Sequence, residues 1–177
     1  FLGMTKEEIA DNKELLDMFE LDDSGRNGLE HILFGDTRYE DLQGEGILTA
    51  EGLHFMPAAK KVGLEVSLLK DYTRKFTDAA QRKRGVKASR VVVEGVEKAT
   101  PTTMFPEEYK DTGEEVPIIH VLQNIKYALS NAQTVQKSSV KEGNTVNQFS
   151  NEDADSDVPS MRVVTNKEGR IVSAFPI

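Results

Sequence analysis

Residues 161–175 read MRVVTNKEGRIVSAF. Two runs rich in β-branched residues, 161–165 and 170–175, flank four polar or small residues that end in Gly169. This pattern is typical of a β-hairpin, because β-branched side chains favour strands and glycine favours a tight turn. The chain is therefore expected to end in two antiparallel strands.

The N-terminal and central parts carry helical patterns instead. Thr5 and Glu8 have the spacing of a capping box, and Gly35 and Gly85 stand where a helix would end. Helices first and strands last predict an α+β fold, with N-terminal helices packed against antiparallel β-sheet. Helices are predicted over about 5–20, 27–34, 68–84 and 114–132.

The remaining segments are predicted to be turns, loops and short strands within one domain over 1–177. The predicted elements are a turn at 22–25, an ordered loop at 36–53 with a short strand at 47–49, and strands at 90–96 and 135–140. Three parts of the domain are predicted to stand apart: an N-terminal helical extension at 1–25, a helical insertion at 60–87 and a flexible acidic loop at 141–159.

Composition and charge narrow the function classes. The net charge is -8, yet residues 60–98 hold eleven Lys and Arg against five Asp and Glu, so a polyanion could meet a basic segment there. A solvated helix face explains the same charges equally simply. Cysteine is absent, which excludes disulfides and thiolate metal sites, and no apolar run is long enough to span a membrane. The chain starts at Phe1, which suggests the C-terminal part of a longer protein.

Several familiar catalytic motifs are missing from the sequence. There is no dinucleotide-binding glycine motif, Walker loop or Gly-x-Ser-x-Gly elbow, so no nucleotide or other cofactor is expected. No His-Glu-x-x-His motif or pair of histidines four residues apart exists, so no metal site is expected either.

The chain contains three histidines, and two of them lie near glycines in its first third. His31 is followed by Gly35, and His54 follows Gly52. Two histidines that converge on one phosphodiester can act as general base and general acid without a metal. Each could equally serve a structural role. His120 lies in an apolar helical pattern and is predicted to be a packed or capping residue.

The two histidine segments resemble the double-histidine signature of the EndoU-type endoribonucleases. The segments are EHILFGD at 30–36 and GLH at 52–54. Two later stretches are similar to the bacterial branch of that family, and they occur in the same order: TTMFPEEY at 102–109 and GRIVSAFP at 169–176. The resemblance implies an EndoU, RNase A-like fold.

The resemblance also implies an activity and its residues. Such an enzyme cuts RNA next to uridylates and leaves a 2′,3′-cyclic phosphate, with one of His31 and His54 as base and the other as acid, in an order that the sequence leaves open. A lysine would stabilise the transition state; Lys98 is the first choice, and Lys60 and Lys61 stay open as alternatives. The hydroxyl of Ser173 matches a positioning threonine of the family. Substrate contacts are expected from three further residues: Thr102, Thr103 and Phe175, of which Phe175 could instead be a packing residue.

The bacterial branch occurs as C-terminal toxin domains of polymorphic and contact-dependent toxins. The expected partners are therefore an RNA substrate, with tRNA as one candidate, and a cognate immunity protein. The domain would be secreted or delivered by the producing cell and would act in the cytoplasm of the target cell. The alternative reading is a partner-binding module without catalysis, of the immunity or adaptor type, which the acidic composition would also suit.

Overall fold

A computed structural model of the chain describes residues 4–20, 28–42, 45–69, 74–75, 78–98, 101–135 and 143–177. Within these ranges the predicted α+β class is confirmed, with helices and antiparallel sheets. The helices are α1 (Lys6–Asp11), α2 (Lys13–Leu16), α3 (Gly28–Leu33), α4 (Met56–Lys61), α5 (Ala79–Arg84) and α6 (Ile118–Ser130). The strands are β1 (Asp36–Leu42), β2 (Glu45–Glu51), β3 (Val66–Leu68), β4 (Arg74–Lys75), β5 (Lys87–Ser89), β6 (Val91–Val93), β7 (Val96–Glu97), β8 (Thr102–Met104), β9 (Gln133–Val135), β10 (Thr145–Phe149), β11 (Met161–Thr165) and β12 (Ile171–Pro176).

The C-terminal hairpin is confirmed and forms half of the largest sheet. This sheet has the strand order β12-β11-β10-β9, and all neighbouring strands are antiparallel. Gly169 closes the turn between β11 and β12 with a φ of +81°. A register shift at Val164/Thr165 places Ser173 opposite Val164 and Phe175 opposite Arg162. One face of the sheet carries Met161, Val163 and Phe149 into the main hydrophobic core.

Helix α6 covers that face of the sheet. Its buried residues include Ile118, Leu122 and Ile125, which recur at helical spacing, and Tyr127 packs edge-on against Phe149. The helix is shorter than the predicted 114–132, and Pro117 is its N-cap rather than part of its first turn. With thirteen residues, α6 is the longest helix described. None of the described helices has both the length and the apolar character that a membrane crossing needs.

The N-terminal helices belong to the main core. The capping box of Thr5 and Glu8 is present, but the predicted helix over 5–20 is two short helices, α1 and α2. Leu15 and Phe19 are buried in the core, and the backbone N–H of Ile171 donates to Met18. The predicted N-terminal extension is therefore wrong for the described residues of 1–25. The turn predicted at 22–25 lies outside the described residues.

The loop predicted between the two histidines needs correction. Gly35 ends α3 with a φ of +72°, as expected, but residues 36–53 are not a loop. Strands β1 and β2 form a seven-pair antiparallel hairpin that runs from Asp36↔Glu51 to Leu42↔Glu45. This segment is polar and rich in glycine, with little apolar alternation, so its sequence does not predict two strands. The two histidines are consequently joined by a hairpin whose two ends lie side by side.

The helical insertion predicted at 60–87, with a helix over 68–84, is also wrong. Strands β3 and β4 occupy part of this segment, and within the described residues of 68–84 the helical part is α5. Its N-cap is Asp78 rather than Ser67, while Gly85 ends it with a φ of +87° as predicted. Strand β5 was not predicted. The strand predicted at 90–96 is two strands, β6 and β7, separated by a turn at 94–95.

Three small sheets and a second core complete the fold. The sheets are the β1–β2 hairpin and two three-stranded antiparallel sheets, β3-β6-β7 and β4-β5-β8. Leu53, Met56, Val91 and Met104 are buried in the second core, and Phe34 packs against both cores. The segment 52–55 therefore runs between two cores, since Leu53 enters the second and Phe55 the first.

The acidic segment 141–159 is not a flexible loop over its described residues. Residues 145–149 form β10, and the strand predicted at 135–140 lies earlier, at β9, with 136–140 outside the described residues. The loop after β10 is fixed by Arg84, which is only 6% exposed. Its guanidinium donates to the carbonyls of Asn151, Asp153 and Ser156 at 2.6–3.0 Å.

Replacing Arg84 should destabilise the protein strongly. Arg84→Met removes three charge-assisted hydrogen bonds to partly buried carbonyl groups, and we expect the free energy of unfolding to fall by about 3 kcal/mol. Chemical denaturation measures this loss. Arg82→Met, an exposed position in the same helix, is the matched control and should change the stability by less than about 0.5 kcal/mol. Equal losses in the two variants would contradict the role of the Arg84 hydrogen bonds.

Candidate active site

The two predicted histidines meet at the C-terminal end of α3. The last carbonyls of a helix have no partner within the helix. Here the carbonyl of His31 accepts from the N–H of Leu53 at 3.0 Å, and the carbonyl of Ile32 accepts from the N–H of His54 at 2.6 Å. The chain leaves α3, makes the β1–β2 hairpin and returns to satisfy the end of the same helix. This return brings His54 beside His31.

Gly52 makes the close approach possible. Its φ is +72°, and a Cβ atom at this position would collide with the backbone carbonyl of His31. Leu53 follows with a φ of +60°, which is unusual for a non-glycine residue. Its side chain is fully buried in the second core. Core packing therefore holds the strained turn that presents His54.

We expect Gly52→Ala to destabilise the protein by more than the usual cost of placing alanine at a positive φ. The collision with His31 adds to the strain of a positive φ, so the free energy of unfolding should fall by about 3 kcal/mol. Gly63→Ala is the matched control, since Gly63 has a φ of +85° and open space around it. Its loss should be about 1 kcal/mol, from the backbone term alone. Thermal or chemical denaturation of both variants checks this, and equal losses would contradict the steric account.

The ring of His54 is fixed in one orientation. Its Nδ1 lies 2.7 Å from the carbonyl oxygen of Thr103. A carbonyl can only accept, so Nδ1 carries the hydrogen and Nε2 has the free lone pair in the neutral ring. The carbonyl of His54 also accepts from the N–H of Phe105 at 2.8 Å. Strand β8 and the residue after it therefore hold both the backbone and the ring of His54.

Electrostatics keep His54 neutral. The residue is 8% exposed, and burial is the main reason why its pKa is lowered from 6.5 to about 3. The hydrogen bond to the Thr103 carbonyl opposes this shift, while the positive charges of Lys98 and His31 lower the pKa further. Both charges thus lie close enough to act on the His54 imidazole. The structure brings His31, His54 and Lys98 together.

Lys98 is buried at this site, whereas the two alternative lysines are not. Lys98 is 7% exposed, and its Nζ donates to the carbonyl of Gly52 at 2.6 Å. A buried ammonium group is costly unless it has acceptors, and the Gly52 carbonyl is one of them. Lys60 and Lys61 end α4 and are exposed. The structure therefore favours Lys98 among the three candidate lysines.

Phe175 and Ser173 approach the site from β12. The Phe175 ring is stacked on the His54 ring, with centroids 5.5 Å apart and an interplanar angle of 27°. Ser173 is two residues earlier in the regular part of the strand, so its side chain is on the same sheet face. Phe175 is in this structure a packing partner of His54. The catalytic role of Ser173 stays a prediction.

Of the two threonines, Thr103 contributes to the site through its backbone carbonyl, which the sequence does not indicate. Thr103 acts through its backbone carbonyl, which fixes the His54 tautomer. The hydroxyls of Thr102 and Thr103 are buried and have no hydrogen-bond partner among the described residues. Thr102 lies on the same face of β8 as Met104, and only 2% of it is exposed. Direct substrate contact by these hydroxyls is therefore not favoured by the geometry.

His120 is not part of this site. It is exposed in the first turn of α6, and its Nδ1 is hydrogen-bonded to the Tyr109 hydroxyl. The prediction of a packed or capped residue holds only in its contact with Tyr109, since the side chain is exposed rather than packed in the core. Among the described residues, no three histidine, aspartate or glutamate side chains group as a metal site requires.

A cavity of about 190 Å³ lies elsewhere, between α5, α6 and the loops at 105–116 and 154–159. Its walls include Arg84, Tyr109 and Val121. None of the predicted site residues lines it. The cavity and the histidine site are therefore separate features of the molecule.

No protein-family model, curated protein or solved structure matches the chain. The resemblance to the EndoU-type endoribonucleases therefore stays a prediction that rests on the quoted residues.

The sequence indicated the side chains of the site but not its backbone groups. The carbonyls of Gly52 and Thr103 hold Lys98 and His54, and a carbonyl leaves no signal in a sequence. Gly52 itself could have been singled out, since a glycine two residues before a candidate histidine often marks a close backbone approach.

Proposed function

We propose that this chain is an endoribonuclease domain that cleaves RNA through attack of a ribose 2′-hydroxyl on the adjacent phosphodiester. The observation that supports it is the state of His54: a neutral imidazole, oriented by the Thr103 carbonyl, with the charges of Lys98 and His31 acting on it. A base with a defined lone pair next to the Lys98 ammonium group and a second imidazole suits a reaction that removes a proton and builds up negative charge.

The roles follow from these contacts. His54 Nε2 takes the proton of the 2′-hydroxyl, and the 2′-oxygen forms a bond to phosphorus. The bond from phosphorus to the 5′-oxygen breaks, and His31 gives that oxygen a proton. The products are a 2′,3′-cyclic phosphate and a 5′-hydroxyl. Lys98 stabilises the extra negative charge that the phosphorus oxygens carry in the transition state.

An anionic substrate makes His54 a better base than it is in the free protein. The Lys98 and His31 charges lower the pKa of His54. A phosphate that lies between these groups opposes their field, so the pKa of His54 rises when RNA binds. His54 is therefore a stronger base for the 2′-hydroxyl proton when RNA is bound.

The more specific parts of the proposal, beyond RNA cleavage itself, come from the family resemblance. They are the EndoU, RNase A-like fold, the preference for uridylates, the cognate immunity protein and delivery into the cytoplasm of a target cell. The segment 60–98 carries eleven Lys and Arg against five Asp and Glu in an acidic protein, and it ends at Lys98. This charge distribution suits a protein that binds RNA at one place only.

The product chemistry tests the proposal. An RNA oligonucleotide with a single uridine is incubated with the protein in EDTA, and the fragments are analysed by mass spectrometry. We expect a 2′,3′-cyclic phosphate on one fragment and a 5′-hydroxyl on the other. The same oligonucleotide with 2′-deoxyuridine at that position is the control and should stay intact.

Other outcomes would contradict the proposal. Cleavage of the deoxyuridine control, or fragments with a 5′-phosphate, would exclude attack by the 2′-hydroxyl. No cleavage of any RNA, combined with tight binding to a protein partner, would favour the non-catalytic module of the immunity or adaptor type.

A further inference from the structure

The sheet face that carries Phe175 continues away from His54 as a line of polar side chains. The strand registers place four residues side by side across the largest sheet: Phe175 on β12, Arg162 on β11, Gln148 on β10 and Gln133 on β9. We call Arg162, Gln148 and Gln133 the polar row. Neighbouring strands are about 4.8 Å apart, so the row extends roughly 14 Å from the ring that packs on His54.

The polar row is on the opposite sheet face from α6. Its neighbours along the strands, Phe149, Met161 and Val163, enter the core beneath α6. Successive side chains of a strand point to opposite faces, so Gln148 and Arg162 point away from that core. Both are partly exposed, and Gln133 is exposed.

Arg162 is held in place but has donors to spare. Its Nε donates to the side-chain oxygen of Gln148 at 3.2 Å. Among the described residues, its two terminal nitrogens have neither a hydrogen-bond acceptor nor a carboxylate partner. A guanidinium group with its planar edge free is well suited to a phosphate, because it can donate two parallel hydrogen bonds.

We propose that the polar row is a subsite for single-stranded RNA beside the scissile bond, in which Arg162 binds a flanking phosphate. This inference rests on the proposed endoribonuclease function. Arg162 lies one strand beyond Phe175, whose ring packs on His54, so its phosphate is a neighbour of the reacting one rather than the reacting one itself. The amides of Gln148 and Gln133 offer donors and acceptors to the same strand.

A comparison of short and long substrates tests the subsite. The short substrate is the dinucleotide uridylyl-adenosine, which has only the scissile phosphate, and the long one is a hexanucleotide with one uridine. For Arg162→Gln we expect kcat/KM on the hexanucleotide to fall about 10- to 100-fold, the effect of a lost charge-assisted hydrogen bond. On the dinucleotide it should stay within about twofold of wild type. Arg170→Gln removes the same charge from an exposed position on the hairpin turn and should leave both rates unchanged.

A substrate change gives the same information without relying on the variant to fold. Methylphosphonates, which are neutral, replace the flanking phosphates of the hexanucleotide one at a time. One replacement should slow the wild-type enzyme about 10- to 100-fold and have little further effect on Arg162→Gln. An equal loss of Arg162→Gln activity on both substrates, or no sensitive flanking phosphate in the wild type, would overturn the subsite.

Binding separates this inference from the catalytic proposal. A hexanucleotide with 2′-deoxyuridine at the scissile position cannot react, so its affinity reports on the subsite alone. The salt slope of its binding should fall by about one unit charge in Arg162→Gln and stay unchanged in Arg170→Gln. If wild-type protein cleaves no RNA but shows this difference in slope, the nuclease proposal fails and the subsite stands. Equal slopes in wild type and Arg162→Gln would overturn the subsite whatever the activity.

Discussion

His54→Asn should lower the rate of RNA cleavage by about 10²- to 10⁴-fold, the usual contribution of a general base. Asparagine places an amide N–H where the His54 Nδ1–H donates to the Thr103 carbonyl, so the hydrogen bond at 2.7 Å can be kept. It has no lone pair at the position of Nε2 that could take a proton. The variant therefore removes the base while keeping the local structure. His120→Asn, an exposed position outside the site, is the matched control and should cleave at the wild-type rate.

The leaving group distinguishes the two histidines. His31→Ala should cause a similar loss, because the 5′-oxygen then departs without a proton. A substrate with sulfur in place of that 5′-oxygen needs no acid, since a thiolate leaves readily. We expect this substrate to restore most of the activity of His31→Ala and little of that of His54→Asn. Restoration of His54→Asn alone would exchange the two roles, and wild-type rates in either variant with the natural RNA would remove that histidine from the mechanism.

The stability of the protein should depend on pH through His54. The pKa of His54 is about 3 in the folded protein and near 6.5 in an unfolded chain. Between these values the unfolded state binds the proton and the folded state does not, so stability falls as the pH is lowered from 6.5 towards 3. From pH 7 to pH 4 this single group should remove on the order of 3 kcal/mol from the free energy of unfolding.

Carboxylates also titrate in this range, so the variant difference is the informative quantity. Chemical denaturation at a series of pH values gives the curves of wild type, His54→Asn and His120→Asn. The curve of His54→Asn should be flatter than that of the wild type by the amount given above, because asparagine does not titrate. His120→Asn should run parallel to the wild type. Parallel curves for all three proteins would show that His54 is not buried as a neutral imidazole.

The sequence was most informative where local patterns agree with the final packing. The hairpin of β11 and β12, the capping box of Thr5 and Glu8, and the glycines that end α3 and α5 were all predicted. In each case the determining interactions lie within a few residues of one another. Short-range signals of this kind can be recognised without knowing the fold.

Long-range pairing explains what the sequence did not reveal. The segment 68–84 has helical spacing, but its start is paired with β6, with Leu68 opposite Val91 and the Leu69 N–H donating to Arg90. The hairpin at 36–51 has little apolar alternation, so nothing in its composition predicted two strands. The acidic loop after β10 is ordered by Arg84, more than sixty residues earlier in the chain. Tertiary contacts override local propensity in all three places.

In the candidate site, too, the residue types could be predicted from the sequence but their long-range arrangement could not. The residue types indicated His31 and His54, the family resemblance implied Lys98, and the structure brings the three together. Their proximity depends on the return of the chain to the end of α3, which the sequence expresses only through Gly52. The polar row depends on the register of four strands and could not be read before that register was known.

The central claim is that both imidazoles and the Lys98 amine act on one phosphodiester. A crystal structure with an oligonucleotide that carries 2′-deoxyuridine at the scissile position tests it directly, because the substrate binds and cannot react. We predict one phosphate group within hydrogen-bond distance of His31 and of Lys98 Nζ, about 2.7–3.2 Å from each donor, with His54 Nε2 facing the C2′ atom of the deoxyuridine. A phosphate bound away from the end of α3, or a deoxyuridine whose C2′ atom lies away from the His54 ring, would contradict the claim.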